Sequence, residues 1–463
     1  MIPHLNSVLI DGIPLDNGNG PFLRGLKLIL EEGKNVFVTG NAGTGKTVFL
    51  KALRKISEKR IVVAAPTGVA AVNASGMTLH SLFHLPPQPM LPTDHMFRVR
   101  AAEDDPEGKT IFSEFRFNNN RLELFRNMDV LVIDEVAMVR CDVLDAVDRI
   151  LRVFRKRMAE PFGGVQVVLI GDPFQLPPVV RDTEVSILRK SYEHRFFFAS
   201  NAWAASDFEC VELTKIYRQH DPNFIDLLNR VRNGRVTNED RLLFRQRRHL
   251  PLNRDGFVTI CTHRDKVDSM NREEFEKVPG QIHEYQADID GVFPNRDWPA
   301  DFELKLKVGV PVMFLKNDRE TAVINGTIGK VIDLKENSVI VEIPDGDYAR
   351  EVEVLRASWE KAVFEYSKET KSVERRVLGT YTQFPLRLAW AITVHKSQGM
   401  TFQKVIADLE QSFDYGQEYV GLSRCVSLHT LHMLSDVRAK MLGPHPHAVR
   451  FYRMYFGGET QAT

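Results

Sequence analysis

The amino-acid sequence predicts an α/β protein with two parallel-sheet cores, the second carrying a small antiparallel β unit. Short apolar, β-branched runs bounded by Gly, Pro or Asp recur along the chain, and stretches of helical period lie between them. One later segment alternates apolar and polar residues between turn signals, as a half-buried antiparallel sheet requires. A chain of 463 residues also exceeds the ~100–200 residues of an ordinary domain, so more than one core is expected.

In chain order, the first set of runs is Asn35 to Thr39, Ile61 to Ala65, Val130 to Ile133 and Val165 to Ile170. Near-continuous apolarity suits strands covered on both faces. Val48 to Ile56 and Val143 to Phe154 carry the helical spacing between them. Pro86 to Asn120 breaks the pattern with a Pro cluster, the mixed charges Glu103 to Glu107 and the run Asn118 to Asn120, and reads as an insertion. A second set of runs, Phe257 to Cys261, Lys404 to Asp408 and Leu428 to Leu434, requires a second core. The boundary is expected near Arg181, giving a first core over 1–182, with its insert at about 86–120, and a second over 183–463. Gly309 to Gln383 is the alternating segment, with turns at Asn325-Gly326 and Pro344-Asp345-Gly346. The polar tail from Gly457 is expected to fray.

Composition excludes several classes. The 61 Lys and Arg balance 61 Asp and Glu, which is evidence against a polyanion-coating protein driven by bulk charge. A channel lined by a few basic groups is not excluded. No apolar run of ~18 residues could span a bilayer, and no basic start precedes an apolar leader. The cysteines Cys141, Cys210, Cys261 and Cys425 form no CxxC pair, which disfavours structural zinc and a disulfide framework and points to a reducing cytosolic compartment.

Gly40-Asn41-Ala42-Gly43-Thr44-Gly45-Lys46-Thr47 fits the G-x-x-x-x-G-K-[ST] phosphate loop between a strand and a helix. Glycines admit the phosphates to backbone N–H groups, and the helix N-terminus favours their charge. Gly40, Ala42, Gly43, Thr44 and Gly45 are thus expected to cradle ATP, with Lys46 on its outer phosphates and Thr47 on Mg²⁺. Asp134-Glu135 ends a strand at the same sheet edge, placing Asp134 to hold Mg²⁺ through water and Glu135 to polarise attacking water. In Gly171 to Pro178, Gln175 could sense the γ-phosphate, and Asp172 could bond to Thr47 or Glu135. Arg218 and Arg424, both assigned to the second core, could stabilise the transferring phosphoryl group and make hydrolysis depend on closure.

The phosphate loop, Asp134 to Met138, Gly171 to Pro178, Tyr217-Arg218-Gln219, Ala391 to Thr401 and Tyr419 to Arg424 occur in helicase order and resemble motifs I to VI of superfamily one. Asp134 to Pro178, with Pro161-Phe162-Gly163-Gly164 inside it, resembles the signature of the Pif family in the 5′-to-3′ branch. The resemblance runs from about Asn35 to Ser435. It implies two RecA-like P-loop NTPase cores with ATP between them and single-stranded DNA across their tops. It also implies a strand-separating wedge at 86–120 and an SH3-like insert at 309–383. By motif, Pro66, Thr67, Thr78 and His80 match first-core DNA contacts, and Thr393, His395 and Gly399 match second-core contacts, Gly399 also bordering the nucleotide. Phe83 could offer a base a stacking face or belong to the core.

The implied activity is ATP-dependent unwinding of duplex, fork or structured DNA by a monomer without membrane association. A translocase that does not unwind and a nucleotide-switched single-strand clamp are the rival readings. One departure stands out. The family carries a Gln upstream of the first strand that reads adenine, whereas the corresponding place near Phe22-Leu23 has none, leaving only Asn17 and Asn19. Base selectivity is therefore left open. The basic stretches Arg152 to Arg157 and Arg245 to Arg248 read as solvated helix faces rather than DNA contacts.

Overall fold

A computed structural model describes residues 8–457 except 11, 102–108, 250–253, 255, 319, 322, 324, 346–347, 368, 370–371 and 435–442. The first sheet has six strands: β1 (Asn35–Gly40), β2 (Ile61–Ala65), β3 (Met77–Thr78), β4 (Val130–Ile133), β5 (Gln166–Ile170) and β6 (Phe208–Leu213). Their order is β3-β2-β4-β5-β1-β6, parallel throughout. Successive strand residues point to opposite faces, and both faces are buried here. Phe37, Val62, Leu131, Val167 and Leu169 pack with helix Cys141–Phe154 on one side. Val36, Val38, Val63, Val132 and Val168 pack with helices Gly20–Leu30 and Lys46–Ile56 on the other.

The sheet does not end at residue 182. β6 pairs with β1 from Asn35↔Phe208 to Gly40↔Leu213. The terminal helix Pro446–Phe456 also folds onto the first core, where Phe451 stacks on Phe198 at 4.1 Å and packs against Phe37 and Trp203. Edge strand β6 escaped the sequence reading because Phe-Glu-Cys-Val-Glu-Leu alternates, being only partly covered.

The second sheet comprises β7 (Val258–Cys261), β8 (Ala391–Thr393), β9 (Val405–Asp408) and β10 (Leu431–Met433), ordered β8-β7-β9-β10 and parallel. Between β7 and β8 lies the antiparallel insert, wider than 309–383. Its five-stranded sheet joins Tyr348–Leu355, Ser338–Asp345, Ile328–Leu334, Pro311–Phe314 and Leu386–Leu388 in that order. His283–Gln286 pairs with Glu303–Leu306 and shares that sheet's core through Tyr285, Leu304 and Leu306. Asp288–Gly291 joins the long hairpin Ala357–Ser367 and Ser372–Gln383, which reaches back to bury Val363 and Phe364 in the first core. The Asn325-Gly326 turn is present, whereas Gly346 lies outside the described residues.

The first-core insert is not a loose finger. Arg140 donates to the Pro87 and Gln88 carbonyls, the Met90 N–H donates to Asp142 at 2.9 Å, and Phe97 and Phe115 are buried in the core. Its acidic run Glu103 to Glu107 lies outside the described residues.

Candidate nucleotide site and nucleic-acid face

β1 ends at Gly40, and the chain turns through residues 41–45 into helix Lys46–Ile56. Gly43 (φ +83°) and Gly45 (φ +89°) adopt the left-handed conformation glycine tolerates. A Cβ on Gly43 would lie 2.5 Å from the Arg218 Cβ, so the loop needs glycine for closeness as well as for φ. The Lys46 ammonium curls back to donate to the Gly40 (2.7 Å) and Asn41 (3.0 Å) carbonyls. Thr44 Oγ1 also donates to the Asn41 carbonyl.

A cleft of about 730 Å³ opens over this loop, lined by Ala42 to Thr47, Glu135, Gln175, Arg218, Gly399 and Arg424. Every expected nucleotide residue lines it except Gly40 and Asp134. The lobes meet across it. The Ala42 N–H donates to the Tyr419 hydroxyl at 2.9 Å, Gln219 Nε2 donates to the Ser423 and Cys425 carbonyls, and Leu176 is buried among second-core residues. Gly416 lies so near that a Cβ there would sit 2.5 Å from the Gln175 carbonyl oxygen.

Arg424, only 2% exposed, donates to the Val420 and Met400 carbonyls and to Ser423 Oγ. Burial pushes its guanidinium down to about 10. Burial, then Arg424, pushes Arg218 down to about 9, and its Nη1 donates to the Ser423 carbonyl. Arg218 is not delivered by the facing core as expected. It lies just beyond β6, where the Tyr217 N–H donates to the Gly43 carbonyl, so of the two motif arginines Arg424 is the one that the second core contributes.

Glu135 takes a left-handed φ of +52°, costing ~1–2 kcal/mol for a residue with a Cβ. Gln398 Nε2 holds its carboxylate at 2.9 Å. Desolvation raises both acids of the pair, Asp134 to about 7 with Glu135's charge as the second cause. Asp172 bonds to neither Thr47 nor Glu135. Arg232, the last residue of helix Pro222–Arg232, donates from Nη2 to its Oδ1 at 3.0 Å and from Nε to its Oδ2 at 3.3 Å. The local spacing gave no sign of that partner, 60 residues away.

Asn19 is spent: its Oδ1 caps helix Gly20–Leu30 by accepting the Phe22 N–H, and its Nδ2 donates to the Tyr217 hydroxyl. That hydroxyl donates in turn to Asp16 at 2.7 Å, standing the exposed Tyr217 ring at the cleft mouth.

On the neighbouring face, Thr67, Thr78 and Thr393 each cap a short helix, accepting the Ala70, Ser81 and Lys396 N–H groups. A capping hydroxyl spends a lone pair and keeps its O–H to donate. Pro66 leaves β2 beside Thr67, and His80 lies in helix Leu79–Phe83 behind Thr78. Phe83 is not on this face: it is 0% exposed, stacked on Phe125 at 5.2 Å in the first core. An exposed aromatic outside the quoted motifs is Phe413. It is 56% exposed, its ring near-parallel to His395 (15°) and edge-on to His263. One exposed Phe in a loop carries no periodic signal. Of the basic stretches, Arg152 pairs with Asp148 at 2.7 Å, Arg155 donates to the Gly163 carbonyl and Arg247 to the Leu431 carbonyl.

The chain matches the family model for PIF1-like helicases over residues 26–242 and that for the Pif1 2B domain over residues 295–334. The ATP-dependent DNA helicase PIF1 of Xenopus laevis is 32% identical over 440 residues, covering 91% of this chain and 62% of that protein. The chain thus spans about three fifths of the length of the curated relatives it matches. Bacteroides sp. Pif1 in complex with ADP-AlF4 superposes with a TM-score of 0.83 at 39% identity, covering 94% of this chain and 96% of that one. Bacteroides Pif1 bound to ssDNA, at 40% identity and the same coverage, gives 0.65. With that identity across nearly the whole bacterial chain, this protein belongs to the PIF1-like helicase family.

Proposed function

We propose that this chain is an ATP-driven helicase that moves 5′-to-3′ on single-stranded DNA and separates duplex, forked or structured DNA ahead of it. One observation carries the reading. Lys46 and Arg218 beside the phosphate loop, and Arg424 from the other lobe, converge on one cleft and spend their donors on carbonyls and a hydroxyl. Cations held together in a desolvated site favour a polyanion that can neutralise them. A triphosphate reaching from loop to Arg424 would tie the lobes, and hydrolysis would remove the tie.

In this mechanism Lys46, Arg218 and Arg424 balance charge on the transferring phosphoryl group. Gln175 orients the attacking water, and the Glu135 carboxylate takes its proton. The site's donors fit Mg²⁺: Thr47, with its hydroxyl, lines the cleft, and the Asp134–Glu135 pair carries negative charge that burial disfavours. Thr47 and Asp134 would hold the ion, which when bound supplies neutralisation of phosphate charge.

Thr67, Thr78 and Thr393 offer O–H donors to DNA phosphates, with Pro66, His80 and His395 beside them. Phe413 offers a base-stacking face worth ~1–3 kcal/mol. Such contacts grip without reading sequence, as a motor needs. The drop from 0.83 to 0.65 in TM-score at near-equal identity supports a DNA-free arrangement here, one that changes when a strand enters. Direction rests on the family resemblance. A monomer is the simplest motor, although one similar solved structure describes unwinding at forked dsDNA by two coordinating Pif1 helicases.

The test is ATP turnover with and without single-stranded DNA, alongside unwinding of duplexes carrying either a 5′ or a 3′ overhang. DNA-stimulated turnover with unwinding from the 5′ overhang alone is expected. Turnover without strand separation would instead identify a translocase, and nucleotide binding without turnover a clamp.

A further inference from the structure

We propose that Arg232 is a positioning residue for the γ-phosphate end of the nucleotide site, acting through Asp172 to set how Gln175 distinguishes triphosphate from diphosphate. It rests on the nucleotide-site reading above and adds a residue outside every motif read from the sequence. Arg232 is 3% exposed. Its guanidinium packs against two rings, 4.2 Å from the Phe174 centroid and 5.2 Å from that of Tyr452. Two donors reach Asp172, and Nη2 lies 4.0 Å from Glu212, whose carboxylate accepts the Tyr452 hydroxyl at 2.7 Å.

The consequence lies one residue further on. Asp172, itself fully buried, also accepts the Phe174 N–H at 3.1 Å and faces Gln175 Nε2 at 3.4 Å. One carboxylate thus ties down the loop that aims Gln175 into the cleft, and one arginine holds that carboxylate. Charge matters too. Asp172 is the largest attractive charge acting on the Lys46 ammonium, and Arg232 acts on it with the opposite sign. Removing Arg232 alone leaves a buried, unbalanced carboxylate where the γ-phosphate must arrive, repelling it and drawing Lys46 aside. Removing both charges leaves a neutral loop.

The experiment compares the affinities of ATPγS and ADP, without DNA, for the wild-type chain, Arg232→Met and the double variant Arg232→Met/Asp172→Asn. The ATPγS-over-ADP preference is expected to fall about tenfold in Arg232→Met and to recover to within about threefold of wild type in the double variant. Equal weakening of both nucleotides, or no recovery in the double variant, would show a merely structural role and overturn the proposal. If Arg232→Met does not fold, Arg232→Lys, which keeps the charge but loses the two-pronged fork, must lower the preference by about threefold. An unchanged preference in that variant overturns it equally. Failure of the wild-type chain to unwind DNA would remove the helicase reading and leave this result intact, since nucleotide preference is read without DNA.

Discussion

Lys46 donates to the carbonyls of its own loop, so its ammonium must swing outward to meet phosphate oxygens. Lys46→Ala removes that group without opening the core, and turnover is expected to fall by on the order of a hundredfold or more at an unchanged melting temperature. Glu418 gives a second prediction. It is 1% exposed, and burial pushes its carboxyl from the usual 4.5 up to about 8. Between those values the folded chain keeps a proton that the unfolded chain has released. Its stability contribution is therefore full below about 4.5 and lost as pH rises through about 8. Glu418→Gln should accordingly raise the melting temperature by an amount that grows with pH across that window and then levels off. A gain independent of pH would contradict the sign. At this scale the phosphate-loop residues were legible, because backbone chemistry demands glycine and lysine at fixed spacing. Arg232 and Phe413 were not, since a partner 60 residues away and one exposed ring leave no local pattern.

Among elements, continuously apolar strands could be read because both faces of the parallel sheet are covered, as Val130 to Ile133 illustrates. β6 could not, since its glutamates follow the exposure of an edge. The first-core insert was legible as an interruption but not as a packed element. Cutting out 86–120 would uncover Phe125 and leave the Asp142 and Arg140 side chains without their backbone partners. Its deletion is therefore expected to lower thermal stability along with unwinding, and an unchanged melting curve would contradict the packing described. The hairpin that buries Phe364 in the first core supplies a milder probe. If this contact must part for a strand to enter, Phe364→Ala should tighten single-stranded DNA binding several-fold, measured by fluorescence anisotropy. Weaker binding would mean that the hairpin grips the strand rather than shielding its path.

The whole molecule has two parallel sheets with an antiparallel insert, and polar contacts between the two lobes gather around the phosphate loop. Tyr419 to Ala42 and Gln219 to the Ser423 carbonyl are among them. Such an interface can separate without unfolding either sheet, as alternating motion requires. The notion of a shared cleft was available from motif order alone, but the side of the cleft that holds Arg218 was not. That placement leaves Arg424 as the motif arginine that the second lobe brings to the cleft, and closure is expected to turn on it. The decisive measurement is a crystal structure of this chain with ADP and aluminium fluoride. Lys46 and Arg424 are both expected to contact the fluoroaluminate, Arg424 having left the Val420 and Met400 carbonyls. A ligand held by the first lobe alone, with Arg424 still bonded to those carbonyls, would contradict this expectation.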